Sequence, residues 1–305
     1  MITTQNQSMA NSPPRHVPYG EQFSASGTHL IRVNASSFAR FKTCPRKYQL
    51  EVLSGEGKGE DDPDLRFGTL LHAAKAVFET NKARGASHDL ALQGAFRFLL
   101  HETWNDELGK PNFTTHPVKN RATLLRTFVW YVDQYRDDPC ETLILAGGTP
   151  AVELQFEFDT GLVSPEGDPV TFVGTLDRLV RFNGRVYITD IKTSTSARWL
   201  NAGNYSPDFQ FSLYCVAGRV CFGEEVAGII LDGIEVAPGW TKFHREVVPR
   251  SEEALTRWLS EQGYWLRRLW ESEGRGEFPQ NDTVCGLYGG CRHRKRCSGQ
   301  EEEVQ

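Results

Sequence analysis

A mixed α/β fold, with helices laid against a sheet of parallel and antiparallel strands, is predicted by three features of this 305-residue chain. Apolar residues first recur at three- and four-residue spacing, over about residues 65–83, 88–107 and 117–136. From Ala151 the period drops to two, with Val152, Leu154, Phe156 and Phe158 alternating with Glu153, Gln155 and Glu157. Beyond residue 193 the two periods take turns again. The order helices, three strands, helix, two strands, helix is that of an α/β sandwich around a mixed central sheet.

Each element has a local reason. The first 30 residues are polar, with prolines and serines and no apolar core of a signal peptide, and read as a disordered tail. Residues 34–53 are helical in pattern, broken at Cys44-Pro45, because proline suits a first helical turn. A glycine- and acid-rich loop over 54–64 precedes the three helices. After the first strand comes a hairpin over 170–193, turning at Asn183-Gly184, the strongest short hairpin signal in the chain. With those two residues as the loop, Phe182 faces Arg185 and, stepping outward, Asp177 faces Asp190. Side chains alternate along a strand, so Asp177, Asp190 and Lys192 are expected on one side of the sheet. Residues 206–221 form a helix against the sheet, 226–236 and 242–248 are strands, and Ser251-Glu-Glu opens an amphipathic helix to about residue 273. The serine caps that helix and the early acids suit its dipole. A cysteine-rich tail follows. The expected organisation is a tail over 1–30 and one domain over 31–300, with a helical insertion at about 84–140 and a clasp formed by Cys44 and residues 285–297.

Composition narrows the function. Hydrophobic residues at 39% and charged residues at 24% describe a globular chain, long enough for a sizeable core. No apolar run approaches the roughly 20 residues of a membrane span, so no membrane role is expected. A formal charge of −5 argues against indiscriminate nucleic-acid binding. Two local patches run the other way: residues 34–50 carry Arg40, Lys42, Arg46 and Lys47 without an acid, and residues 285–297 carry Arg292, Arg294, Lys295 and Arg296 without one. No Walker phosphate loop is present, since Gly55-Glu-Gly-Lys-Gly59 lacks the spacing and the following Ser or Thr. Seven cysteines without a secretory signal point to a reducing cytoplasm, where clustered cysteines bind metal more often than they pair.

Like charges facing each other across strands repel, so two carboxylates and an ammonium on one patch of sheet suggest a divalent metal site with a catalytic lysine. Other groups fall at fitting distances. Gly174 precedes Asp177 by three residues, Gln210 and Tyr214 lie one helical turn apart, and His72 follows Gly68 by one turn. Taken singly, His72 is an ordinary core histidine, Gln210 and Tyr214 bond on a helix surface, and Glu153 faces solvent on an edge strand.

Together these residues resemble the RecB-like branch of the PD-(D/E)XK nuclease superfamily, whose order is a helical G-x-x-x-H, a strand glutamate, G-x-x-D, D/E-x-K and Q-x-x-x-Y. Here the same order reads Gly68-x-x-x-His72, Glu153, Gly174-x-x-Asp177, Asp190-x-Lys192 and Gln210-x-x-x-Tyr214. The resemblance spans about residues 35–297 and implies a restriction-endonuclease-like core. It implies that His72, Asp177, Asp190 and the Ile191 carbonyl hold Mg²⁺ or Mn²⁺, hard ions suited to oxygen ligands. Lys192 would orient or activate water and oppose charge on phosphorus, Gln210 and Tyr214 would position the strand or the site, and Glu153 would stand behind the ligands.

Cys285-x₅-Cys291-x₅-Cys297 forms a compact trio, with Cys44 far upstream. Four thiolates suit a [4Fe–4S] cluster or zinc. The spacing, wider than that of zinc knuckles, favours iron–sulfur. RecB-like helicase–nuclease subunits and CRISPR-associated exonucleases staple one early cysteine to three late ones around such a cluster, and Cys44 resembles the early member. The first two late cysteines are closer in many members, which keeps zinc as the alternative. Ligation would bring the two basic patches together as a phosphate-binding ridge leading to the metal site. Cys140, Cys215 and Cys221 lack partners in pattern, and Trp199, Tyr205 and Phe209 either stack bases or anchor a loop.

The resemblance thus implies a metal-dependent DNA exonuclease acting on ends or single strands in replication, recombination or repair, with room for a helicase or recombination partner. A non-cleaving DNA-binding or helicase-docking module, or an endonuclease of the same fold, are the rivals.

Overall fold

The computed structural model describes residues 22–23, 29–57, 62–287 and 290–300. Most of the expected tail lies outside them. The chain divides into two compact units, one of Met1–Gly57, Glu157–Gly174 and Thr256–Gln305, the other of Lys58–Phe156 and Thr175–Leu255.

The second unit holds a helical layer and most of a mixed sheet. Strand β7 (Pro169–Phe182) enters it with its C-terminal half, antiparallel to β8 (Arg185–Ser194); β8 runs parallel to β9 (Val226–Val236), and β9 antiparallel to β10 (Thr241–Pro249). The β7–β8 register runs from Phe182↔Arg185 to Arg178↔Thr189, the frame read from Asn183-Gly184. Over one face lie α3 (Pro63–Ala83), α4 (His88–Glu102) and α5 (Arg121–Gln134). Phe67, Leu71, Phe78, Leu99, Leu124 and Phe128 from these helices form one core with Ile191, Ile234 and Val236 of the sheet. Asp62 caps α3 by accepting from Leu65 N at 3.0 Å, and Pro63 occupies its first turn. Helix α6 (Phe209–Phe222) contacts β9.

In the first unit β2 (His29–Asn34) pairs with a two-residue β1 (Gln22–Phe23) and runs parallel to the N-terminal half of β7, in the register Ile31↔Val170 to Asn34↔Val173. Asn34 then caps α1 (Ala35–Thr43), its side chain accepting from Ser37 N at 2.9 Å. Helix α2 (Pro45–Tyr48) restarts at the proline, as expected. Phe38, Phe158, Phe172 and Trp258 make an aromatic core with α7 (Glu252–Arg275), Phe172 lying 5.9 Å from both Phe158 and Trp258.

The differences from expectation sit at element edges. Strand β2 lies between the expected tail and the expected helix, overlapping each by a residue or two; it is short, and its partner is supplied only by the tertiary fold. Helix α4 stops at Glu102, since β3 (Trp104–Asn105) pairs with β4 (Lys110–Pro111) as a small hairpin, and a two-residue β5 (Glu141–Thr142) pairs with β7. Helix α6 begins three residues late, at Phe209, because the Asp208 carboxylate caps it by accepting from Phe211 N at 2.8 Å. Gln210 and Tyr214 remain inside it.

Candidate active site

Alternation along β8 sorts the site. Thr189 and Ile191 face the α3 layer, Thr189 through Lys75 Nζ at 3.3 Å and Ile191 through the core. Asp190 and Lys192 therefore face α6. Arg178 of β7 reaches back to Glu79 of α3 at 3.0 Å, which turns its neighbour Asp177 to the same side as Asp190.

On that side the predicted residues meet in a chain of contacts. Lys192 Nζ lies 2.9 Å from Asp190 Oδ2 and donates to Gln210 Oε1 at 3.1 Å. Gln210 Nε2 donates to the Tyr214 hydroxyl at 2.7 Å. The Lys192 ammonium also stands 5.7 Å above the Phe211 ring. His72 bridges from α3, with Nδ1 2.8 Å from Asp177 Oδ2 and Nε2 2.9 Å from the Ile191 carbonyl. Glu153, at the start of β6 (Val152–Val163), has a left-handed backbone at φ 50° and lines a small pocket with His72, Lys75 and Asp177.

Burial and mutual charge set the protonation states. Burial would lower the His72 pKa, but the Asp177 carboxylate beside it, and then Asp190, raise it to about 8. Asp177 is buried, which would raise its carboxyl, yet the facing His72 holds it below the ordinary range. Asp190 is pushed up, by burial first and by Asp177 against the pull of Lys192. Lys192 stays an ammonium: burial opposes its charge, but Asp190 and Asp177 raise it. Glu153 is pushed to about 7 by burial and by Asp177. The Tyr214 hydroxyl is held protonated by burial and by the two aspartates.

Asp177 Oδ2 and Asp190 Oδ2 are buried and accept no well-aligned hydrogen bond, although His72 and Lys192 touch them. Contact without alignment satisfies charge but not the lone pairs, and buried carboxylate oxygens left so are what a hard cation takes. Their donor set fits Mg²⁺ or Mn²⁺ in kind. As the side chains stand, no group of three or more His, Cys, Asp or Glu among the described residues is gathered to hold a metal ion. At Ile191 the carbonyl is engaged by His72 instead.

In the first unit the cysteine segments come together. The Asn281 amide donates to Cys44 Sγ at 3.4 Å, Arg46 N to the Pro279 carbonyl at 3.2 Å, and Cys291 N to the Cys285 carbonyl at 2.9 Å. The Cys297 thiol is raised, by burial and then by Cys291 and Cys44, against the lowering effect of Arg46. All seven cysteines are free thiols. Of the basic patches, Arg40 pairs with Glu51 at 2.9 Å, Lys47 lies 3.9 Å from the same carboxylate, and Arg296 pairs with Glu56. Glu51 stands one residue beyond the acid-free stretch, so that stretch is less cationic than it reads. Arg292, Arg294 and Lys295 are exposed. Trp199 carries the Arg198 guanidinium 4.3 Å from its ring, and Tyr205 stacks on Phe211 at 5.2 Å.

Sequence reasoning missed a buried network beneath the site. Asp232 of β9 accepts from Tyr131 at 2.6 Å and Arg245 at 2.6 Å, with Lys75 Nζ at 3.5 Å. Lys75 sits one turn after His72 on the same helix face, a spacing that could have flagged it.

A mixed sheet with helices on it, and two aspartates and a lysine gathered on neighbouring strands, defines a nuclease core of the restriction-endonuclease type. Residues 32–298 match the PD-(D/E)XK nuclease superfamily, and the chain belongs to that superfamily. Among solved structures it is similar to a "Putative exonuclease" from Eubacterium rectale, at 15% identity and a TM-score of 0.43, covering 85% of this chain and 86% of that one. It is also similar to SSO0001, at 13% identity and a TM-score of 0.33, covering 77% and 76%. No curated protein sequence matches the chain. No helix among the described residues is long and apolar enough to cross a membrane.

Proposed function

We propose that this nuclease is a Mg²⁺- or Mn²⁺-dependent DNA exonuclease acting on ends or single strands, carrying a structural [4Fe–4S] cluster. The observation that supports the reading best is the continuous chain Asp190–Lys192–Gln210–Tyr214, with Asp177 on the same face. His72, Asp177, Asp190 and the Ile191 carbonyl would hold the ion, His72 by giving up a proton. Once bound, a divalent ion polarises a phosphoryl oxygen and acidifies water. Lys192, as an ammonium, donates to and opposes charge developing on the phosphoryl group, a role of donor rather than base. Gln210 fixes the lysine and Tyr214 fixes Gln210. Glu153, poised at about 7, can hold or release a proton near neutrality. Arg40, Lys42, Arg46, Lys47, Arg292, Arg294, Lys295 and Arg296 supply phosphate contacts.

Cys44, Cys285, Cys291 and Cys297 would ligate the cluster, in a reducing cytoplasm that keeps thiols free. Replication, recombination or repair, alone or beside a helicase, is the setting that suits a DNA-end nuclease.

The test is cleavage of end-labelled linear and circular single-stranded DNA with fresh Mg²⁺ or Mn²⁺. Linear DNA should be degraded and circles spared; cut circles would assign an endonuclease instead. Asp190→Ala and Lys192→Ala should each lose at least about 10²-fold in cleavage, the scale of removing one electrostatic stabiliser, while still binding DNA. An inert wild-type protein that binds DNA would leave the non-cleaving module as the correct reading.

A further inference from the structure

The first unit contains an open groove of about 310 Å³, of whose lining the proposed chemistry uses Lys42 alone. Phe41 and Lys42 of α1 form one wall, and Tyr264, Trp265, Arg268 and Arg275 of α7 the other. Tyr264, Arg268, Glu271 and Arg275 follow one another at four-, three- and four-residue spacing and so share a helix face, with Trp265 beside them. The helix buries a different stripe, through Trp258, Leu266 and Leu269. The groove face is thus surplus to core packing.

Its chemistry is specific. Lys42 Nζ lies 5.2 Å from the Trp265 ring centre, and the Arg268 guanidinium 5.4 Å from that of Tyr264. The two rings meet edge to face at 5.4 Å, and Tyr264 remains 48% exposed. Flat rings with cations beside them offer base planes a stacking surface and phosphates a counter-charge. Two carboxylates also line the groove: Glu271, which pairs with Arg268 at 2.9 Å, and Glu277. Three cations against two acids leave too little charge to hold the double phosphate track of a duplex. Stacking has to dominate, and stacking needs unpaired bases.

We propose that this groove is a binding site for single-stranded nucleic acid, additional to the phosphate-hydrolysing site and resting on the nuclease reading only for its biological use. Trp265 and Tyr264 stack bases, while Lys42, Arg268 and Arg275 contact the backbone.

The experiment is fluorescence anisotropy of the full chain with labelled oligothymidine and with a blunt duplex, both in EDTA so that cleavage plays no part. The wild type should prefer oligothymidine. Trp265→Ala and Tyr264→Ala should each weaken it about fivefold to a hundredfold, the effect of losing one stacked base, and Trp265→Phe should restore most of the loss. Arg268→Ala, exposed and outside the core, should weaken binding and flatten its salt dependence. Should Trp265→Ala fail to fold, Tyr264→Ala and Arg268→Ala still decide, since both side chains are at the surface. Unchanged oligothymidine affinity in these two folded variants, or a wild type that prefers duplex, overturns the proposal. Failure here leaves cleavage of linear DNA untouched, and an uncleaving wild type leaves this binding untouched, so the two readings fail separately.

Discussion

Lys192 illustrates how much a single side chain can be told by its neighbours. Its ammonium is fixed by Asp190, by Gln210 and by the Phe211 ring beneath it. Removing the outermost link should loosen the rest: in Tyr214→Phe the Gln210 amide loses the oxygen it donates to. One missing hydrogen bond of this kind costs about 1 kcal/mol, so kcat is expected to fall several-fold with KM for DNA nearly unchanged, as steady-state kinetics would read. A larger effect on KM than on kcat would place Tyr214 at the strand instead. The partners of Lys192 differ in legibility. Asp177 and Asp190 could be set on one face from the sequence because Asn183-Gly184 fixes the register by arithmetic, and Gln210 and Tyr214 brought together because four residues make a helical turn. Phe211 and Lys75 could not, since their roles depend on which helix lies over which strand.

Elements show the same division between what is local and what is tertiary. The hairpin, the three helices and α7 follow from period, turn and cap, whereas β2 depends on a parallel partner more than 130 residues away, Ile31 on Val170. Close approach between neighbours is equally invisible in sequence. Gly228 on β9 has φ 152°, and a Cβ there would collide with the Val248 carbonyl oxygen. Backbone cannot swing aside as a side chain can, so Gly228→Ala should destabilise by about 1–3 kcal/mol, measured as a lower denaturant midpoint. Beneath the same strand, Asp232 ties β9 to α3, α5 and β10. Burial alone would raise its carboxyl, but Lys75, Arg245 and Tyr131 hold it below the ordinary range. A depressed folded pKa stabilises above the unfolded value near ~3.9 and is lost as acid protonates the folded group. Thermal melts should therefore be flat in this respect at neutral pH and fall below about pH 4. Asp232→Asn, which strands buried cations, should cost about 3–5 kcal/mol at pH 7 and weaken that acid limb.

For the molecule as a whole, the cysteines matter most. Ligation would close a loop of about 240 residues between Cys44 and Cys285, worth on the order of 5 kcal/mol by loop-closure entropy. Anaerobically prepared protein is expected to be brown with about four irons per chain, and Cys44→Ser to lose both the iron and a large part of the melting temperature. Stoichiometric zinc without iron would instead assign the alternative metal. The interleaving of the two units adds a timing constraint. The unit bearing Asp177 and Asp190 is complete once residue 255 has been made, whereas the other awaits its third segment, Thr256–Gln305. At about 5–20 residues per second of synthesis, Cys44 emerges from the ribosome roughly 12–48 s before its first distant partner. If Cys44 ligates a cluster, its thiol has to stay reduced throughout that interval, so oxidative stress during translation should harm this protein far more than the same oxidant applied to the finished chain, as recovered iron content would read.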